Sequence, residues 1–139
     1  MAPALDLEPR PTNTKAMTTV LVVDDEPDLR RIVRRALERD GHHVVEAESA
    51  TAALQVVQGP AGPDAVVCDV LMPGKSGIAL YDELLRLNPT LAGKVIFLTG
   101  AANDRGVHDR IEALGVPLLA KLDDLQLVVD AVRVALLRK

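Results

Sequence analysis

Short apolar runs alternate with amphipathic helical segments along most of this 139-residue chain. Each run is about four residues long and continuous, which is typical of strands that are covered on both faces. The runs are Val20–Val23, Val44–Ala47, Ala65–Cys68, Val95–Leu98 and Leu118–Ala120. Five such strands alternating with five helices predict an α/β fold, in which right-handed crossovers join the strands of a parallel sheet.

The segments between the runs have the periodicity of helices that bury one face. Gly41 is predicted to end the first helix. Ser49 and Ser76 are predicted N-caps of the second and third helices, and Asn88-Pro89 is predicted to end the third. The predicted apolar stripe of the first helix consists of Leu29, Ile32, Val33, Ala36 and Leu37.

The composition indicates one domain with an aliphatic core. Hydrophobic residues make up 48% of the chain, but it has one Tyr, one Phe and no Trp, so Val, Leu, Ile and Ala must fill the core. Residues 1–17 contain three prolines and no apolar periodicity, which predicts a disordered leader, a linker or residues added for expression. Residues 18–139 are predicted to form the domain.

Charge and composition also argue against several classes of protein. A formal net charge of −4 and two aromatic residues disfavour a nucleic-acid-binding surface. No apolar run approaches the roughly 20 residues of a membrane span, and the first residues lack the pattern of a secretory signal. One cysteine excludes an internal disulfide, which fits a reducing cytoplasm. We therefore expect a cytoplasmic protein without a direct nucleic-acid or membrane partner.

Acidic residues follow two of the predicted strands. Asp24, Asp25 and Glu26 come directly after the first strand, and Asp69 closes the third before the turn at Pro73-Gly74. Open α/β folds place their chemistry at this carboxyl edge of the sheet. Carboxylates gathered there repel one another unless a cation holds them, and oxygen-only ligands suit Mg²⁺.

A hydroxyl and an amine follow the last two strands, at Thr99 and Lys121. With the acidic groups they form a coherent set for phosphoryl transfer. The acidic cluster holds a divalent cation, Lys121 neutralises charge on phosphoryl oxygens, and Thr99 donates a hydrogen bond to one of them. Asp69 is already ionised at neutral pH and attacks phosphorus without a base, forming an acyl phosphate.

Four stretches of the chain resemble the receiver domain of bacterial two-component response regulators, of the chemotaxis-regulator type. The resemblance as a whole covers residues 18–138. The four stretches are Val22-Val23-Asp24-Asp25-Glu26-Pro27, Asp69-Val70-Leu71-Met72-Pro73-Gly74-Lys75-Ser76-Gly77, Phe97-Leu98-Thr99-Gly100 and Ala120-Lys121.

The resemblance implies a flavodoxin-like (βα)5 three-layer sandwich with strand order 2-1-3-4-5. It implies that a histidine kinase or phosphotransfer domain phosphorylates Asp69 in a Mg²⁺-dependent reaction, which then switches the binding of an unidentified downstream protein. Asp25, Asp69 and the Leu71 backbone carbonyl are the implied metal ligands, with Asp24 acting largely through water. Thr99 and Lys121 are the implied partners of the phosphoryl group.

Two residues depart from the family pattern. The family usually has Pro after the site lysine, in a cis peptide that directs the lysine inward, whereas this chain has Leu122. A cis bond before a non-proline residue costs about 3–4 kcal/mol, so a trans peptide and an altered loop are expected. Leu118 occupies the switch position, where the family commonly has Tyr or Phe, so weaker coupling to the outer surface is expected.

Two helix faces are candidate partner surfaces. Arg30, Arg31 and Arg34 form a basic flank on the first helix, which is either a solvated face or a docking site for the kinase's helical bundle. Leu127 and Val134 belong to a second apolar stripe on the last helix, which either broadens its buried face or binds a partner. We expect a monomer or a weak dimer.

The main functional hypothesis is a phosphorylation-controlled signalling module, not a metabolic enzyme. The module is either a stand-alone protein or a part of a larger one, such as a hybrid histidine kinase. Another alternative is a degenerate receiver that only binds partners. An aspartyl phosphohydrolase is disfavoured because Leu71 stands where such enzymes have a second Asp, and a flavin module because acids replace its hydroxyl-rich loop.

Overall fold

A computed structural model describes residues 17–60, 62–100, 105–121 and 124–138. The predicted leader, residues 1–17, therefore lies outside the described residues except for Met17, and Leu122 also lies outside them. Among the described residues, no helix is both long and apolar enough to cross a membrane.

The described residues form a five-stranded parallel sheet of order β2-β1-β3-β4-β5, which confirms the predicted fold class and strand order. The bounds of each strand lie within one residue of the predicted runs. The strands are β1 (Thr19–Val23), β2 (His43–Ala47), β3 (Ala65–Asp69), β4 (Val95–Thr99) and β5 (Leu118–Ala120).

Six helical segments connect or follow the strands in the described part of the chain. They are α1 (Pro27–Arg39), α2 (Ala50–Gln58), α3 (Gly77–Leu87), α4 (Pro89–Ala92), α5 (Arg105–Leu114) and α6 (Leu125–Leu136). The side chains of Ser49 and Ser76 accept hydrogen bonds from backbone N–H groups in the first turns of α2 and α3, which confirms both predicted N-caps. Asn88-Pro89 ends α3 as predicted but also begins α4, whose N-cap is Asn88.

Two aliphatic clusters fill the space between the sheet and its helices. On one face α1 and α6 pack against Val20, Val22 and Ile96, whereas α2, α3 and α5 cover the opposite face around Phe97. The central strands β3 and β4 are buried at every residue, as expected for strands covered on both sides. This arrangement leaves the carboxyl edge of the sheet as the place where polar side chains meet.

The apolar stripe of α1 is narrower than predicted. Val33 and Leu37 are buried, but Ile32 is 41% exposed at the margin of the helix–sheet contact. Helical periodicity assigns Ile32 to the stripe, whereas its burial depends on which elements pack against α1.

Candidate functional site

The structure brings three aspartates together at the carboxyl edge of the sheet. Asp24 directly follows β1 and Asp69 ends β3, the neighbouring strand in the sheet. One carboxylate oxygen from each of Asp24, Asp25 and Asp69 lies within 4.8 Å of the other two. Asp24 and Asp69 are only 2% and 3% exposed, whereas Asp25 is exposed to solvent.

This donor set suits a hard divalent cation. The ligand atoms are all oxygens. Two of the three carboxylates are buried, and a buried negative charge needs a positively charged partner. Mg²⁺ is commonly held by one or two protein carboxylates with its remaining positions open to water or phosphate oxygens. The exposed side of Asp25 leaves such access.

Lys121 contacts the acidic cluster directly. Its Nζ lies 2.8 Å from Asp69 Oδ2, 3.0 Å from Glu26 Oε1 and 3.3 Å from Asp24 Oδ2. The backbone positions it, because β5 ends at Ala120 and the Lys121 N–H donates to the Thr99 carbonyl at 2.9 Å. The ammonium therefore lies within the site in this structure. The expected trans peptide before Leu122 falls outside the described residues.

Asp69 and Lys121 change each other's pKa. Burial raises the pKa of the Asp69 carboxyl above its usual value, and the neighbouring Asp24 adds to this rise, although the hydrogen bond from Lys121 opposes it. Burial alone disfavours the charged ammonium, but hydrogen bonds to Asp69 and Glu26 outweigh it and raise the pKa of Lys121. Lys121 therefore remains a cation, and it supports the ionised form of Asp69.

The loop after β3 holds the Asp69 side chain from its other side. The Leu71 N–H donates to Asp69 Oδ1 at 3.2 Å, and the Gly77 N–H donates to the Val70 carbonyl at 2.8 Å. Ser76 caps α3 through the Ala79 N–H. The predicted metal-ligand role of the Leu71 carbonyl stays a prediction.

Thr99 and Leu118 lie on the two strands beyond β3. Thr99 ends β4 and is fully buried, and Leu118 begins β5. The Leu118 side chain is half-buried and packs against the same apolar cluster as Val107 and Leu114 of α5. Their positions fit the predicted phosphoryl contact and switch position, and both roles stay predictions.

The sequence did not predict the contacts of three side chains that support the site, Glu26, Arg30 and Glu46. Glu26 contacts Lys121, as described above. Arg30 donates from Nη1 to the Asp24 carbonyl at 2.7 Å and from Nε to Glu46 Oε1 at 2.6 Å. The signal for Glu46 is present in the sequence, because a carboxylate inside the short strand β2 needs a cationic partner.

The two predicted partner surfaces differ in how far their side chains are exposed and free of ion pairs within the described part of the chain. Arg30 and Arg34 both pair with Glu46 of β2, so neither is a freely solvated cation. Arg31 is exposed beside Asp28. Leu127 and Val134 are 47% and 55% exposed, so these two residues lie at the surface of α6 and outside its buried face. Their role in partner binding stays a prediction.

A family model described as the response regulator receiver domain matches residues 20–133. The chain is 39% identical over 94 residues to the sensor kinase CckA of Brucella abortus. This alignment covers 67% of this chain and 10% of CckA. The chain is 41% identical over 96 residues to a Mycobacterium tuberculosis protein named "Probable transcriptional regulatory protein TcrX", and this alignment covers 69% of this chain and 38% of TcrX. The chain thus spans less than two thirds of either relative.

Solved structures agree with this match. The response regulator protein TrrA of Thermotoga maritima, in complex with Mg(2+)-BeF, aligns with a TM-score of 0.73 at 26% identity, over 86% of this chain and 99% of that chain. The shared fold, the acidic cluster at the sheet edge and the family match over residues 20–133 lead to one assignment. This chain belongs to the response regulator receiver domain family, which functions in two-component signalling.

Proposed function

We propose that this chain is a phosphoacceptor module that takes a phosphoryl group from a histidine kinase or phosphotransfer domain onto Asp69. The observation that carries the proposal is the joint position of three aspartates within 4.8 Å and of Lys121 at 2.8 Å from Asp69. A buried nucleophile flanked by a cation and by a site for a second one fits phosphoryl transfer, where charge on the phosphoryl oxygens must be offset.

Asp24, Asp25 and Asp69 would hold Mg²⁺, with the Leu71 carbonyl as a further ligand. Bound there, the ion would supply positive charge toward phosphoryl oxygens. That a related structure was solved with Mg(2+)-BeF supports this choice of metal. The cluster itself supports it as well, since all of its donor atoms are oxygens.

The chain's own residues supply the remaining chemistry. An Asp69 oxygen forms the new bond to phosphorus while the bond between phosphorus and the donor's imidazole nitrogen breaks. Lys121 then exchanges its contact with the free carboxylate for one with the phosphoryl oxygens, and Thr99 donates its hydroxyl to another of them. Rearrangement of Thr99 against the half-buried Leu118 would carry the change to α5 and β5, and so alter partner binding.

The partners and the setting follow from the same proposal. Histidine kinases or phosphotransfer domains would dock near the site through α1, where Arg31 is exposed, and a downstream protein would bind the exposed apolar residues of α6, Leu127 and Val134. We place this exchange in the cytoplasm and expect a monomer or weak dimer. Similarity to both a sensor kinase and a transcriptional regulator is compatible with a stand-alone receiver and with one from a hybrid kinase.

Incubation with Mg²⁺ and acetyl phosphate, followed by intact mass measurement, tests the proposal. The wild-type chain should gain the mass of one phosphoryl group, and Asp69→Asn should not gain it. Asp82→Asn, an exposed aspartate on α3, is the matched control and should be modified like wild type. Removing Mg²⁺ with EDTA should abolish the gain.

Two results would contradict the proposal. Equal modification of wild type and Asp69→Asn would mean that a residue other than Asp69 accepts the phosphoryl group. No modification of wild type by acetyl phosphate or by any phosphohistidine donor would favour a receiver that only binds partners.

A further inference from the structure

We propose that Arg30 is a positioning residue for the Mg²⁺ site, in which its guanidinium joins the Asp24 peptide to Glu46 of β2 and thereby sets the affinity for the metal. The inference rests on the proposed function, because it concerns the metal that the three aspartates would hold. It gives Arg30 a role inside the protein, in place of the docking role that the sequence suggested.

The contacts of Arg30 define this role. Arg30 lies in the first turns of α1, and its side chain is only 15% exposed. Nη1 donates to the Asp24 carbonyl at 2.7 Å, and Nε donates to Glu46 Oε1 at 2.6 Å. One planar group thus joins the loop after β1 to the neighbouring strand, with two donors in a fixed relative geometry.

Asp24 is anchored to β2 through both of its backbone polar groups. Its N–H donates to the Ala47 carbonyl at 3.1 Å, and its carbonyl is joined through Arg30 to Glu46, the residue before Ala47. The Asp24 side chain also accepts the Glu26 N–H at 2.9 Å. The peptide between Asp24 and Asp25 is therefore fixed in orientation before any metal binds.

That orientation matters because three carboxylates repel one another at this edge of the sheet. The Asp24 carbonyl and the N–H and Cα of Asp25 belong to the same peptide plane, so releasing the carbonyl lets the exposed Asp25 side chain turn away from Asp69. Groups that hydrogen-bond around metal ligands typically change metal affinity by about 10–100-fold when they are removed.

Arg34 is a matched comparison on the same helix. It donates to the same Glu46 carboxylate at 2.7 Å and to Glu38 at 3.0 Å. Neither contact involves the loop after β1. Arg34 therefore shares with Arg30 its charge, its helix and one ion-pair partner, but not the hydrogen bond to Asp24.

Titration of Mg²⁺ by calorimetry into wild type, Arg30→Lys and Arg34→Lys tests the inference without any phosphoryl donor. Lysine keeps the positive charge but cannot bridge two acceptors with a rigid fork. Arg30→Lys should weaken Mg²⁺ binding by roughly 10-fold or more. Arg34→Lys should stay within about twofold of wild type, as expected for a partly exposed side chain away from the loop.

Circular dichroism and urea unfolding without Mg²⁺ separate positioning from a general loss of structure. If Arg30→Lys does not fold, Glu46→Gln serves as the second variant, because Arg30 keeps its charge but loses its carboxylate partner. The Glu46→Gln variant should bind Mg²⁺ more weakly than the Arg34→Lys variant does.

Each outcome has a distinct meaning. If wild type binds no Mg²⁺, the metal-dependent function proposed above fails, and this inference fails with it. If wild type binds Mg²⁺ and a folded Arg30→Lys binds it equally well, only the inference is overturned. Equal weakening in Arg30→Lys and Arg34→Lys would also overturn it, because the effect would then come from the ion pairs with Glu46.

Discussion

Gly77 shows how closely the backbone folds around Asp69. A Cβ atom on Gly77 would overlap the Asp69 carbonyl oxygen and lie 3.0 Å from the Val70 Cα. Both neighbours are backbone atoms, so neither can move aside without shifting the backbone of Asp69, the proposed phosphoacceptor, or of Val70 beside it. The requirement for glycine here is steric, because the first residue of α3 touches the end of β3.

Gly77→Ala should therefore lower the free energy of unfolding by about 1–3 kcal/mol, the usual cost of overpacking a closed site. It should also slow phosphorylation, because the Asp69 backbone must shift. Urea unfolding and the mass assay with acetyl phosphate measure the two effects.

Gly93→Ala is the control for this substitution. Gly93 has helical backbone angles, with φ −71° and ψ −3°, and an added Cβ would meet the Thr90 carbonyl at an ordinary 3.5 Å. The change should be neutral or stabilise the chain by about 0.4–1 kcal/mol. Similar losses in the two variants would show that the crowding at Gly77 has no special effect.

At the scale of elements, one carboxylate joins β2 to α1. Glu46 accepts from Arg30 and Arg34, which lie one turn apart on α1. The hydrogen bond from Arg34 lowers the pKa of Glu46 below its ordinary 4.5, against the effect of burial, and Arg30 contributes in the same direction. The pair of arginines thus favours the ionised carboxylate in the folded state.

The sign of this pKa change predicts a pH-dependent stability. A carboxylate whose pKa is lowered by folding contributes stability above its unfolded pKa of 4.5 and loses it as the pH falls through the folded value. Glu46→Gln should therefore be less stable than wild type at pH 7 by about 1 kcal/mol, since the group keeps some contact with water.

The difference should shrink below pH 4.5, the ordinary pKa of this carboxyl, and disappear in stronger acid. Urea unfolding of both proteins across this range measures it. A difference that is constant with pH would mean that Glu46 acts through packing and not through its charge.

At the scale of the whole molecule, the sheet separates two aliphatic cores. Ile96 of β4 belongs to the cluster beneath α1 and α6, and Ile111 of α5 belongs to the cluster on the opposite face. Both side chains are fully buried. Because the sheet lies between the two clusters, a cavity on one face has no side-chain neighbours in common with a cavity on the other.

Ile96→Val and Ile111→Val should each lower the free energy of unfolding by about 0.5–1.5 kcal/mol. In the double variant the two losses should add to within about 0.5 kcal/mol, as is usual for sites without shared partners. Chemical denaturation of the four proteins completes the cycle. A larger coupling energy would show that the sheet transmits packing changes between its faces.

Much of this architecture was predictable from the sequence because its signals are local. The five apolar runs predicted the strands to within one residue, since continuous apolar runs mark strands covered on both faces. The N-caps at Ser49 and Ser76 were predictable because a serine directly before a helical segment is also a local signal. The helix α4 was missed, because four residues are too few to show a helical period.

The sequence by itself determined the class of fold and predicted which polar side chains meet at the edge of the sheet, because acids, a hydroxyl and an amine directly follow apolar runs. Only the tertiary structure decided that Lys121 reaches Asp69, that Ile32 and Val134 stay exposed, and that Arg30 holds the Asp24 carbonyl. These features depend on distances between segments far apart in the chain. Such distances are set by how helices pack across the sheet and not by the periodicity of any one segment.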